Sequence, residues 1–141
     1  MRRRLQSSDL NTLLFQALDY AVENLRDCGR PLVPFLLYRD ENGTRLERGV
    51  AETLEEGLEN CRAVVRDLPS SVTCYVVVYD GYITIPGQAK CDAIIAEGAE
   101  RGSTGGLRLA QRYRPRSGLF SRFSVVGNPV LLGEAENLLG G

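Results

Sequence analysis

The chain has 141 residues, 43% of them hydrophobic and 25% charged, with no His, no Trp and a formal net charge of −1. These proportions are those of a globular domain and lie far from disordered, collagen-like or membrane-embedded chains. The missing His excludes Ser-His and Cys-His nucleophile activation and imidazole metal ligation.

A chain of this length fits one domain, which buries roughly 68–70% of the surface its unfolded chain exposes. Cys28, Cys61, Cys74 and Cys91 stand 33, 13 and 17 residues apart, so there is no C-x-x-C pair of the kind zinc sites use. Each lies among apolar neighbours, and we read all four as reduced core thiols. The basic start, Arg2-Arg3-Arg4, precedes no uninterrupted apolar run, because Asp9, Asn11, Gln16 and Asp19 intervene. A cytoplasmic protein without membrane contact is therefore expected, with residues 1–8 as a flexible basic N-terminus and 9–139 as a single domain.

The first predicted element is an amphipathic helix over 9–28, where Leu10, Leu13, Leu14, Ala17, Leu18, Ala21, Leu25 and Cys28 share one face. Gly29 suits its C-terminal cap. An apolar strand over 32–38 follows, then the turn signal Asp40-Glu41-Asn42-Gly43 and a short polar strand over 44–49. A second helix is predicted over 54–68, opened by the capping-box pair Thr53 and Glu56 and carrying Leu54, Leu58, Cys61, Val65 and Leu68 on one face.

The remainder reads as a meander. Residues 72–79 are β-branched and aromatic, Asp80-Gly81 signals a two-residue hairpin, and 82–85 would return. Further strands are expected over about 89–100, 107–114 and 120–126. Asn128-Pro129 then signals a short closing helix to about 139, weakened by Gly133. The expected fold is α+β: an antiparallel sheet of five to six strands with both helices on one face. The opening order of helix, two strands, helix and strands resembles the small regulatory light-chain modules of the roadblock type, although the further strands depart from it and no diagnostic motif accompanies it.

The near-zero net charge conceals an asymmetry. Residues 101–133 contain six Arg and no acidic residue. Alternation along 107–114 puts Arg108, Ala110, Arg112 and Arg114 on one side and Leu107, Leu109, Gln111 and Tyr113 on the other. Arg116 and Arg122 extend this strip, and Tyr75 and Tyr79 share one side of their own strand. Together these residues suit an anionic ligand, a nucleotide or single-stranded nucleic acid. The competing reading is a solvated face balanced by Glu97, Asp92 or Glu100 on a neighbouring strand, which the slightly acidic whole favours.

Other motifs reduce to structure. Gly102-Ser103-Thr104-Gly105-Gly106 lacks the Lys and following helix of a phosphate-binding loop. Lys90 and Cys91 point to opposite sides of a strand, so the thiol gains no cation. No cofactor or metal is expected. The chain reads as a small interaction or regulatory module without catalytic activity, forming a homodimer or binding an unknown protein partner. An apolar sheet face carrying Tyr75, Val77 and Tyr79, and the leucines Leu131, Leu132, Leu138 and Leu139, are the candidate contacts. Anion binding by the Arg strip is the alternative, and an enzyme using carboxylate, Tyr or Arg chemistry is a third reading.

Overall fold

The computed structural model describes residues 8–119 and 121–139, so the basic segment 1–7 lies outside the described residues. Two helices, α1 (Ser8–Cys28) and α2 (Leu54–Arg66), accompany six strands. The strands are β1 (Phe35–Asp40), β2 (Gly43–Arg48), β3 (Cys74–Ile83), β4 (Cys91–Glu100), β5 (Gly106–Arg114) and β6 (Ser124–Ala135). They form one antiparallel sheet in the order β2-β1-β3-β4-β5-β6. The α+β class and the antiparallel sheet are as expected from the sequence.

The helices lie on opposite faces of that sheet, where the sequence analysis put both on one. Successive strand residues point to opposite faces. Cys74, Val76 and Val78 of β3 join the core cluster of α1, whereas Tyr75 and Val77 join Cys61 and Val65 of α2. On α1 the predicted apolar face is buried from Leu10 to Leu25, and Gly29, at φ 76°, ends the helix by donating its N–H to the Leu25 carbonyl. Cys28 falls at the edge of that face and is exposed, so it is not a core thiol; Cys61 and Cys74 are.

Helix α2 opens as predicted: the Thr53 hydroxyl accepts from the Glu56 backbone N–H and donates to its carboxylate. It sits close to the chain leaving β2, with Gly57 against Gly49. A Cβ on either glycine would collide with the other's carbonyl oxygen, so this approach needs both side chains absent.

Two local expectations fail for identifiable reasons. Asp80-Gly81 is not a hairpin turn but the continuation of β3, with Asp80 opposite Ile94 and Gly81 opposite Ala93. A Cβ at Gly81 would lie 2.9 Å from Ile95 Cδ1, so the glycine serves packing. The chain reverses instead at Pro86-Gly87, where Gly87 has φ 81° and Gln88 N–H bonds to the Ile85 carbonyl. The closing helix is absent as well: residues from Ser124 to Ala135 form one irregular strand, in which Val130 and Leu131 pair with Ala110 and Leu109. Its register shifts fall beside Gly127 and Gly133, both at positive φ.

Candidate functional site

The register sets Glu97, Ile95 and Ala93 of β4 opposite Arg108, Ala110 and Arg112 of β5, all on the α2 side of the sheet. Arg108 and Arg112 thus share a face, as alternation predicted. Arg108 is neutralised there, because its Nε lies 2.9 Å from Glu97 Oε2. Glu97 also accepts from the Tyr79 hydroxyl at 2.6 Å and from Arg62 Nη2, carried in by α2, at 3.2 Å. This is the balancing carboxylate of the solvated-face reading, placed under a helix.

Burial is the largest single influence on the Glu97 carboxyl and pushes its pKa up. The Tyr79 and Arg108 hydrogen bonds and the charges of Arg62 and Arg108 together outweigh it, and the net shift is downward. Tyr79 moves the other way, to about 12, through burial and its bond to Glu97. Tyr75, the other predicted aromatic contact, is fully buried: its hydroxyl donates to the Glu136 carbonyl and accepts from Leu138 N–H. It fastens the C-terminal segment and presents no ligand surface. Arg112 donates to the Gln88 side-chain oxygen at 3.3 Å, while its Nε is buried with no hydrogen-bond partner among the described residues.

On the α1 side a second polar cluster closes the far end of the sheet. The Tyr113 hydroxyl donates to Asp80 Oδ1 at 2.7 Å and accepts from Arg30 Nε at 3.2 Å, and Arg30 Nη2 pairs with Asp92. Here burial prevails: the Asp80 carboxyl is raised, with Asp92 adding repulsion, against the Tyr113 bond and the Arg30 charge. Burial and the donated bond also raise Tyr113.

Arg116 does not extend the β5 strip. The segment after β5 turns to the α1 side, where Arg116, Arg122 and Arg26 of α1 line an open cavity of about 540 Å³ together with Phe123. Arg116 and Phe123 also wall an adjoining cavity of about 190 Å³, completed by Leu25, Tyr113 and Pro115. The Tyr113 and Phe123 rings stack with centroids 5.5 Å apart, and the Arg26 guanidinium lies 5.4 Å from the Phe123 centroid. Arg26 and Phe123 escaped the sequence reading. Their only signals were a basic residue in the last turn of α1 and an aromatic within the acid-free segment.

The two buried thiols are held in protonated form. Burial pushes the Cys61 thiol up to about 11 and raises that of Cys74 too. No group of three or more Cys, Asp or Glu among the described residues is arranged to hold a metal ion. No described helix is long and apolar enough to cross a membrane. No protein-family model matches the chain, and neither does any curated protein or solved structure, so its functional reading rests on its own geometry.

Proposed function

We propose that this chain is a small non-catalytic interaction module that self-associates through the outer part of its α1 face. One observation carries the reading: large apolar side chains stand exposed where α1 leaves the sheet uncovered. Helix α1 packs over β1, β3 and β4, and β5 and β6 extend beyond it. Leu131 and Val125 of β6 pair with Leu109 and Tyr113, whose side chains belong to the α1 core, and are 61% and 43% exposed. Phe15 of α1 is 51% exposed. Tyr20 touches Phe35 of β1, whereas Arg26 touches Phe123. At 100° per residue, Phe15 therefore falls on the side of α1 that looks toward β5 and β6.

A second copy is the occupant this surface favours. An apolar patch is buried most simply against its own copy across a two-fold axis, the commonest symmetry of soluble oligomers. Extension of the sheet through its β6 edge is disfavoured, because Pro129 and the positive-φ Gly127 and Gly133 interrupt that edge. The other two candidate surfaces recede: Tyr75 and Val77 are covered by α2, and Leu138 and Leu139 pack against the same core. Burial raises the pKa of Tyr79, Cys61 and Cys74, so none of these three is a nucleophile ready at neutral pH.

The test is mass in solution. Light scattering after gel filtration is expected to give twice the chain mass, and Leu131→Glu combined with Val125→Glu to give the monomer with unchanged circular dichroism. A wild-type monomer from micromolar to millimolar concentration refutes self-association. A dimer that survives both substitutions refutes this surface.

A further inference from the structure

The arginine-lined cavity adjoins the proposed self-association surface, but the inference it carries does not rest on self-association. Arg26, Arg116 and Arg122 converge on it, yet none of the three is in an ion pair with any described residue, in contrast to Arg30 beside it and to Arg62 and Arg108 on the opposite face. No acidic side chain lines either of the two adjoining cavities. Three guanidinium groups gathered without a counter-ion repel one another, and a ligand with several anionic oxygens offsets that cost through charge-assisted hydrogen bonds. The smaller cavity has a different chemistry. Leu25, Pro115 and the stacked rings of Tyr113 and Phe123 make it largely apolar, and its one nearby cation without an ion pair, Arg116, is shared with the larger cavity. Its volume of about 190 Å³ exceeds the ~150 Å³ of an apolar cavity known to admit benzene.

We propose that the two cavities together bind a monocyclic aryl phosphate, with the ring against Tyr113 and Phe123 and the phosphate held by Arg26, Arg116 and Arg122. The juxtaposition selects for both halves of such a molecule. A free phosphate satisfies the guanidinium groups but leaves the apolar cavity to water; a neutral ring fills the cavity but leaves the three charges unopposed. Arg116 and Phe123, which border both spaces, couple the two halves. Arg30, which lines the smaller cavity, adds no unopposed charge, because its Nε faces Tyr113 and Asp80 and its Nη2 pairs with Asp92.

Calorimetric titration of the full chain with phenyl phosphate, inorganic phosphate and phenol separates these contributions. Phenyl phosphate is expected to bind about tenfold or more tightly than either of the others, and more weakly as salt rises. Arg122→Gln and Arg116→Gln, both exposed positions that leave the core untouched, are each expected to weaken phenyl phosphate about tenfold while leaving the melting temperature unchanged. Phe123→Leu is expected to abolish the preference over inorganic phosphate without weakening inorganic phosphate itself. A short phosphotyrosyl peptide that outbinds phenyl phosphate assigns the aryl phosphate to a modified protein; the reverse order assigns it to a free small molecule. Equal affinity for phenyl and inorganic phosphate overturns the ring site. No binding at millimolar phenyl phosphate, or binding indifferent to both arginine substitutions, overturns the proposal as a whole.

Discussion

The two faces of the sheet each bury a carboxylate beside a tyrosine and arginine, and they treat it oppositely. On the α2 face Glu97 meets two guanidinium groups and a hydroxyl, and its carboxyl is held below the ordinary range. On the α1 face Asp80 has one arginine at 3.7 Å, shared with Asp92, and its carboxyl is raised. The two side chains are buried to similar degrees, 11% and 17% exposed, so burial alone does not set the sign. The ratio of cations to carboxylates does: Arg62 and Arg108 serve Glu97 and the Glu59 that shares Arg62, whereas Arg30 alone serves both Asp80 and Asp92. The same contrast runs through the packing. Helix α1 is seated by seven buried apolar side chains, whereas α2 has only Gly57, Cys61 and Val65 buried and is held at its outer side by Arg62 reaching Glu97.

The contrast predicts where each face is fragile. Leu14→Ala on α1 leaves a cavity in a dry, closely packed core and is expected to cost about 3 kcal/mol in urea unfolding. A comparable truncation on the exposed side of α2 is expected to matter far less. Glu97→Ala, which strands Arg62, Arg108 and the Tyr79 hydroxyl at once, is expected to cost about 2 kcal/mol. A loss below half that amount means the ion pairs do not hold α2. Tyr113→Phe removes one donor and one acceptor from the Asp80 cluster and is expected to cost about 1 kcal/mol. An equal or larger loss than for Glu97→Ala reverses the ranking of the two clusters.

How much of this was legible beforehand follows from what each signal encodes. The spacing of Leu10 to Leu25 encodes a helix and its buried face, and both were read correctly. An amphipathic helix does not encode which side of a sheet receives it. The evidence for two covered faces lay in the strands: Cys74 to Val78 and Ala93 to Ala96 are continuous apolar runs, as strands buried on both sides are, and not alternating ones. Asp80-Gly81 reads as a turn only while Asp80 has no partner, and its partners, Tyr113 and Arg30, are remote in sequence. Asn128-Pro129 reads as a helix start for the same reason; the pairing of Val130 and Leu131 with Ala110 and Leu109 settles the strand. For the candidate site, the Arg108 and Arg112 register was visible in β5 alone. Convergence of Arg26 with Arg116 and Arg122 depends on where the segment after β5 turns, which no local pattern specifies.

The smallest effect is the most specific to the comparison, because the two carboxylates make opposite contributions to stability as pH changes. The folded state holds the Glu97 pKa below its ordinary value of 4.5, so its stabilising contribution is present above that pH and lost as pH falls through the lowered value. In Glu97→Gln that loss is missing, and the variant is expected to close on the wild type in unfolding midpoint as pH drops below about 4.5. The Asp80 pKa is raised above its ordinary 3.8 in the folded chain, so its contribution is complete below 3.8 and lost as pH climbs through the raised value. Asp80→Asn keeps an oxygen to accept from Tyr113 and cannot ionise; relative to the wild type it is expected to gain as pH rises through the same window in which Glu97→Gln falls behind. Urea midpoints of the three proteins between about pH 3 and 6 therefore diverge in opposite directions if cation number sets the sign. Parallel profiles for the two variants show that burial governs both carboxylates alike.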